Sequence, residues 1–314
     1  MSIPTRQLGK TGLDVSILGF GGGHFARKHI SVEQSVALVQ RAIDAGLTFM
    51  DNAWEYHGGE SERRMGLAIE DRREKVVLMT KVCGRDRQTA EQNLHESLTR
   101  LKTDVIDIWQ FHEINYDNDP DWICSADGAL EAAEAARKAG KVRFIGFTGH
   151  KHPDILLRML EMGFEWDTCQ LPINVVDYHY RSFQQIVLPR LLEREMGVIG
   201  MKSLGGDAQL VRDAGLTPQE CRRYALSQPI STLVAGIESE ENLEQDLAIA
   251  DDFQPFTDQE QQALCEQVRP LAGDGRLEWY KSTQYYDSKT HRLQHGFDPA
   301  SSGQAGTPAN EESR

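Results

Sequence analysis

Eight short apolar runs, each followed by a segment with helical periodicity, recur along most of the chain. They constrain its fold more than any other feature. The runs are ILGFG (17–21), LTFMD (47–51), VVLMTK (76–81), VIDIWQF (105–111), VRFIGFT (142–148), TCQL (168–171), VIGMK (198–202) and TLVAG (232–236). Their β-branched and aromatic content suits strands buried on both faces. Helical spacing marks 31–45, 60–70, 88–101, 126–139, 153–162, 183–195, 217–227 and 239–250. Ser31 with Gln34 three residues on has the form of a capping box. Gly46, Gly140 and Gly163 stand where helices stop, in the place of a left-handed cap. Eight β-then-α units in series predict a parallel sheet with helices outside it, and the count of eight favours a closed (β/α)8 barrel over an open sheet. An open doubly wound sheet would carry a G-x-G-x-x-G turn after its first strand, and FGGGHF at 20–25 lacks that spacing.

The remaining segments frame the barrel. TRQLGKTGLDVS predicts a small hairpin turning at Lys10-Thr11-Gly12, and an extra helix is expected at 257–269. The stretch 273–298 holds an aromatic cluster, WYKSTQYYD, and is expected to fold over the barrel, at its mouth. One barrel domain with this C-terminal extension is expected over 1–298, and the polar stretch 299–314 is expected to be disordered. With 34 basic and 48 acidic residues the formal charge is -14, which argues against nucleic acid or anionic membrane as partners. Cys83, Cys124, Cys169, Cys221 and Cys265 are scattered and form no C-x-x-C pair, which fits a reducing compartment. The start, MSIPTRQLGK, has no apolar signal region, and no run nears the roughly 18 apolar residues of a membrane span, so a cytoplasmic protein is expected.

Barrel enzymes do their chemistry at the C-terminal ends of their strands. Here Asp51 ends the second run, Lys81 ends the third and His112 follows the fourth. Thr148, Gln170 and Lys202 stand at or near the ends of the fifth, sixth and seventh, and Tyr56 lies in the loop after the second. Packing alone would not need so many polar groups at the rim. Proton transfer explains them: a tyrosine with an ordinary pKa near 10 becomes a useful acid if an ammonium lies beside it. Lys81 would lower the Tyr56 pKa, Asp51 would hold Lys81, and His112 would hydrogen-bond the same substrate oxygen. Protonating a carbonyl oxygen is productive only with a hydride donor. No side chain is one, so a nicotinamide cofactor is implied.

The motifs L-G-K-T-G-L-D-V-S…L-G-F-G, F-M-D-N-A-W-E-Y-H-G-G-E-S-E, M-T-K, W-Q-F-H-E and G-K-V-R-F-I-G-F-T resemble those of the aldo-keto reductases over roughly residues 4–250. The resemblance implies reduction of an aldehyde or ketone by NADPH or NADH on a (β/α)8 barrel. Tyr56 would be the proton donor, supported by Lys81, Asp51 and His112, and Trp54 and His112 would meet the substrate. It also implies a cofactor set of Gly22, Gly23, Thr148, Gln170, Met201, Lys202, Ser203, Leu204, Gly236, Ile237, Glu238, Asn242 and Gln245. Three positions depart from the family pattern. Thr148-Gly149 replaces a usual Ser-Asn, Met201 replaces a frequent aromatic, and Glu238 stands near an expected arginine. The segment 235–246 has no basic residue, so NADH is expected over NADPH.

Two other readings use the same residues. One is a non-catalytic dinucleotide-binding regulatory protein, which turnover would separate. The other is a metal-dependent barrel hydrolase with ligands drawn from Asp51, His57, His112, His150 and His152. Against it, H-x-H follows the fifth strand rather than the first. Only Cys265 lies beyond residue 250, which argues against an iron–sulfur cluster. No metal is expected.

Overall fold

The computed structural model describes residues 3–297; the 299–314 stretch lies outside the described residues. β1 (Thr5–Gln7) and β2 (Asp14–Ser16) pair antiparallel as the expected hairpin. Eight parallel strands follow: β3 (Leu18–Gly21), β4 (Phe49–Asp51), β5 (Val77–Val82), β6 (Ile106–Phe111), β7 (Val142–Thr148), β8 (Thr168–Pro172), β9 (Gly197–Met201) and β10 (Thr232–Gly236). β10 pairs back onto β3, Leu233 opposite Leu18 and Gly236 opposite Gly21, and closes the barrel.

The helices around it are α1 (Val32–Asp44), α2 (Glu60–Ile69), α3 (Arg87–Leu101), α4 (Asp119–Cys124), α5 (Ala129–Lys138), α6 (Pro153–Leu160), α7 (Phe183–Ile186), α8 (Leu188–Glu193), α9 (Gln209–Arg212), α10 (Pro218–Leu226) and α11 (Glu240–Asp251). They are followed by α12 (Asp258–Ala272) and α13 (Lys289–Gln294). The start signal read at Ser31 is a true capping box, and Thr217 and Thr257 form two more with Glu220 and Glu260. The single helix expected over 183–195 is instead two short ones joined at Val187. Pro189, one turn in, offers no N–H and would clash with the preceding turn. Two short helices, α4 and α9, lie outside the expected helical segments.

The period of two along each strand divides the core. Phe49, Val77, Met79, Ile108, Ile199 and Val234 form one buried cluster with Leu8 and Val15 of the hairpin. Their neighbours Met50, Leu78, Trp109, Val198 and Ala235 pack in a second cluster with Leu38, Val39, Leu94 and other helix residues. The hairpin closes the N-terminal end of the barrel. Gly9 there has φ +51°, and a Cβ on it would lie 2.3 Å from the Gly197 nitrogen, so only glycine allows that approach.

At the other end, residues 275–297 run across the mouth as a strap. Lys281 is wholly buried, bonded to Asp177 (2.6 Å), Glu278 (2.7 Å) and the Tyr180 carbonyl (2.7 Å). Further along, Asp287 accepts from Tyr116 Oη (2.8 Å) and Asn115 Nδ2 (3.1 Å) and pairs with Lys151 (2.8 Å). No helix among the described residues is long and apolar enough to cross a membrane, and all five cysteines are free.

Candidate active site

Three neighbouring strands deliver the buried polar groups. Asp51 is the last residue of β4, Lys81 is the penultimate residue of β5, and His112 follows β6. Lys81 Nζ pairs with Asp51 Oδ1 and donates to the Asn52 carbonyl at 2.7 Å. It also lies 5.1 Å from the centre of the Tyr56 ring. The Tyr56 and His112 rings meet edge to face, with centres 5.5 Å apart. All four residues read from the sequence as a catalytic set therefore stand together at one end of the barrel. The backbone bends sharply around them. His57, Glu113 and Lys202, each just beyond one of these groups or beyond β9, have φ of 52°, 48° and 57°, a left-handed conformation that non-glycine residues seldom adopt outside constrained sites.

The electrostatics depart from the sequence expectation in one respect. Burial pushes the Tyr56 phenol well above its ordinary range, and Asp51, Glu113 and Glu55 push it the same way. The charge of Lys81 does not reverse this, because Asp51 offsets it at contact distance. Burial also draws the Lys81 ammonium and the His112 imidazole below their ordinary values, with Asp51 and Glu55 respectively opposing. Tyr56 thus holds its proton until something more basic than a phenolate forms beside it.

The residues named for a nicotinamide cofactor fall into separate groups. Thr148 and Gln170 are paired across β7 and β8, both buried, and Gln170 Oε1 has no hydrogen-bond partner. An orphaned buried acceptor at the rim fits the amide N–H of a nicotinamide carboxamide, so the residues present suit that group. Gly22 tolerates no side chain, since a Cβ would lie 2.6 Å from the Asp51 carbonyl, and at Gly23 the Tyr56 ring is the nearest group. Met201 ends β9, and Lys202 beyond it donates to Tyr286 of the strap (2.8 Å). Ser203 is buried and accepts from Arg222 (2.7 Å), which is itself held by Asp246. Leu204 packs against the apolar cluster under the strap. At the end of β10, Gly236 faces the His24 ring, and Ile237 after it is buried. Glu238 pairs with Arg27 from the loop after β3, and Ser239 caps α11 at the Asn242 nitrogen. Gln245 is elsewhere: it is exposed, beside a hollow on the outer surface lined by Arg223, Phe253 and Gln254. Trp54 also turns away from the quartet, donating to Glu96 (2.7 Å) with Arg100 over its ring, so it packs on α3.

The ligand set imagined for a hydrolase is dispersed. His57 lies 3.0 Å from the Gly23 carbonyl, His150 is bonded to Asp287, and His152 caps α6. Conversely, sequence reading missed Glu55, Cys83 and His291, which surround the far side of His112, and Arg27 beside Glu238. Glu55 directly precedes Tyr56 in a strand-end loop, a signal that was available. His291 and Arg27 carry no local signal, because only the fold brings them in.

The profile of the Aldo/keto reductase family matches residues 17–213, more than half of the chain. L-Galactose dehydrogenase of Arabidopsis thaliana is 35% identical over 159 residues, 47% of this chain and 49% of that protein. The 6-dehydroglucose reductase of Novosphingobium aromaticivorans is 32% identical over 185 residues, 54% and 59% of the two chains. The chain thus spans about half the length of the curated relatives it matches. Among solved structures, an aldo/keto reductase from Klebsiella pneumoniae in complex with NADP and acetate superposes with a TM-score of 0.69 at 21% identity, covering 84% of this chain and 95% of that one. Closed barrel, strand-end quartet and sequence profile converge: the chain belongs to the aldo/keto reductase family.

Proposed function

We propose that the protein is an NAD(P)H-dependent reductase of aldehydes or ketones, with Tyr56 giving the proton to the carbonyl oxygen. The observation that carries this reading is the convergence of Asp51, Tyr56, Lys81 and His112 at the strand-end rim of the barrel, the same rim that holds the orphaned Gln170 oxygen. When bound, a reduced nicotinamide supplies the hydride. Thr148 and Gln170 would hold its carboxamide, and the turns at Lys202–Leu204 and Gly236–Asn242 would hold the rest of the dinucleotide. A Klebsiella structural relative solved with NADP supports a dinucleotide cofactor for this barrel.

The chain's own residues then manage one proton. Tyr56 keeps it in the resting site, because burial disfavours the phenolate. As charge develops on the carbonyl oxygen, the proton moves to that oxygen, leaving a phenolate. Lys81, 5.1 Å from the ring centre, is the nearest cation to stabilise it. Asp51 fixes Lys81 in that place. His112, edge-on to Tyr56, is placed to orient the same oxygen. A proton from solvent restores Tyr56 after product leaves.

Glu238 favours NADH over NADPH. It is already paired with Arg27, so a 2′-phosphate there would have to compete with a carboxylate for that guanidinium. A ribose 2′-hydroxyl would instead donate to that carboxylate. The relatives acting on galactose and on a dehydroglucose point to a sugar-like carbonyl, within the aldehyde and ketone class. The test is steady-state turnover of aldehydes, ketones and oxidised sugars followed by nicotinamide absorbance, with both cofactors. Turnover with a higher kcat/KM for NADH is expected. No turnover across the panel would leave the non-catalytic dinucleotide-binding reading in its place, and a strong NADPH preference would sink the role given to Glu238.

A further inference from the structure

Around His112, four side chains from four separate segments bring their donor atoms together. Glu55 comes from the loop after β4, Cys83 from the end of β5, His112 from the end of β6, and His291 from α13 of the strap. One carboxylate oxygen, one sulfur and two ring nitrogens all lie within 4.8 Å of one another. Glu55 Oε1 is 2.9 Å from His112 Nδ1, Cys83 Sγ is 3.9 Å from the same nitrogen, and His291 Nε2 is 3.8 Å from Glu55 Oε1. Four donors bound tetrahedrally at about 2.0–2.3 Å would be roughly 3.3–3.6 Å apart, so these separations need only small adjustment.

Two of the four cluster atoms lack a hydrogen-bond partner. His291 is completely buried, yet its Nε2 has no hydrogen-bond partner. Glu55 Oε1 is also without one, since its short approach to His112 is poorly directed for a hydrogen bond.

The outer shell agrees. Gln294 donates its amide N–H to the Cys83 carbonyl at 2.9 Å, which turns its oxygen to His291 Nδ1 at 3.1 Å. Arg85 NH2 also approaches that nitrogen, at 3.3 Å, while donating to the carbonyls of His112 (2.7 Å) and Glu113 (3.1 Å). With its proton on Nδ1, donated to Gln294, His291 presents a lone pair from Nε2 to the cluster. Ser288 donates to the other Glu55 oxygen at 2.7 Å.

We propose that Glu55, Cys83, His112 and His291 form a binding site for one divalent transition-metal ion of the zinc class. Nitrogen and sulfur donors with a single carboxylate suit that class over calcium or magnesium. The charges close: a dication with the Glu55 carboxylate, the Cys83 thiolate and two neutral imidazoles is neutral overall, which a buried site requires. Cys83 gives its proton to solvent as the metal binds, one proton per ion. The ion would tie the strap to the ends of β5 and β6. On Nδ1 of His112 it would also fix that ring's proton on Nε2, making His112 a hydrogen-bond donor on its free side. This last consequence rests on the reductase reading; metal binding itself does not.

The test uses the full-length chain, stripped with a chelator and titrated with Co(II). One equivalent is expected to give the intense visible bands of four-coordinate cobalt and a near-ultraviolet thiolate charge-transfer band, both lost on adding Zn(II). Cys83→Ser is expected to abolish the charge-transfer band. His291→Gln is expected to weaken Zn(II) binding at least about ten-fold in competition with a chromophoric chelator, in protein whose melting shows that it is folded. No four-coordinate spectrum in folded wild type, or a charge-transfer band that survives Cys83→Ser, overturns the site. None of these readouts involves turnover, so failure here and failure of the reductase reading are distinguishable.

Discussion

Lys81 and Asp51 illustrate how one residue pair serves stability and chemistry together. Both are almost fully buried, and each depends on the other for its counter-charge. Lys81→Met would leave Asp51 a buried anion with no cation, and removing one partner of such a pair costs about 3–5 kcal/mol. Urea denaturation should show that loss, with much of it recovered in Lys81→Met combined with Asp51→Asn. Wild-type stability in the single variant would mean the pair is not carrying charge in the folded state. Tyr56 carries no such buried charge, and a phenylalanine there keeps the ring against His112. Tyr56→Phe should therefore leave the melting temperature nearly unchanged while kcat falls by about 10²–10⁴-fold, the usual range for a lost general acid. Unchanged turnover would remove Tyr56 from its proposed role. The placement of Asp51 and Lys81 at one rim was legible in the sequence because each ends an apolar run, and Tyr56 lies in the loop that follows Asp51. The raised Tyr56 pKa was not, since it depends on how deeply the barrel mouth is covered and on Glu113 and Glu55 nearby.

Among the elements, the strap of residues 275–297 was the least legible. Its aromatic cluster was visible, but nothing in WYKSTQYYD states which partners it meets. It is fastened by Lys281, whose ammonium is surrounded by Asp177, Glu278 and the Tyr180 carbonyl without access to water. Replacing it with methionine leaves two buried carboxylates facing each other. Lys281→Met should lower stability by about 3–5 kcal/mol and speed proteolytic cleavage within the strap. Equal cleavage rates in variant and wild type would show that this anchor is dispensable. The regular elements were easier to locate, because their period is local: strand ends moved by a residue or two, and the capping box at Ser31 held. The break at Val187 was also legible in principle, since Pro189 sits inside the expected helix.

At the scale of the whole molecule, the strap makes stability depend on pH through His150. This residue follows β7 and is buried against Asp287, and burial holds its imidazole down at about 3, with Asp287 opposing. In the unfolded chain it titrates near 6.5. Between these values the unfolded chain binds a proton that the native protein does not. Stability is therefore full above about pH 6.5 and falls as the pH drops, by at most about 1.4 kcal/mol per unit from this group. Denaturation at pH 7.5 and pH 5 should show a shallower loss in His150→Gln, and an unchanged slope would exclude His150 as the source. The sequence by itself determined the barrel, its eight strands, the hairpin and the placement of Asp51, Lys81 and His112 at strand ends, because alternating burial and strand order are written in local patterns. Tertiary structure alone decided that Arg27 meets Glu238, that Asp287 reaches His150, and that His291 joins Glu55, Cys83 and His112. Those contacts join segments far apart in the chain, and no local period or spacing encodes a meeting that closure of the barrel and the path of the strap create.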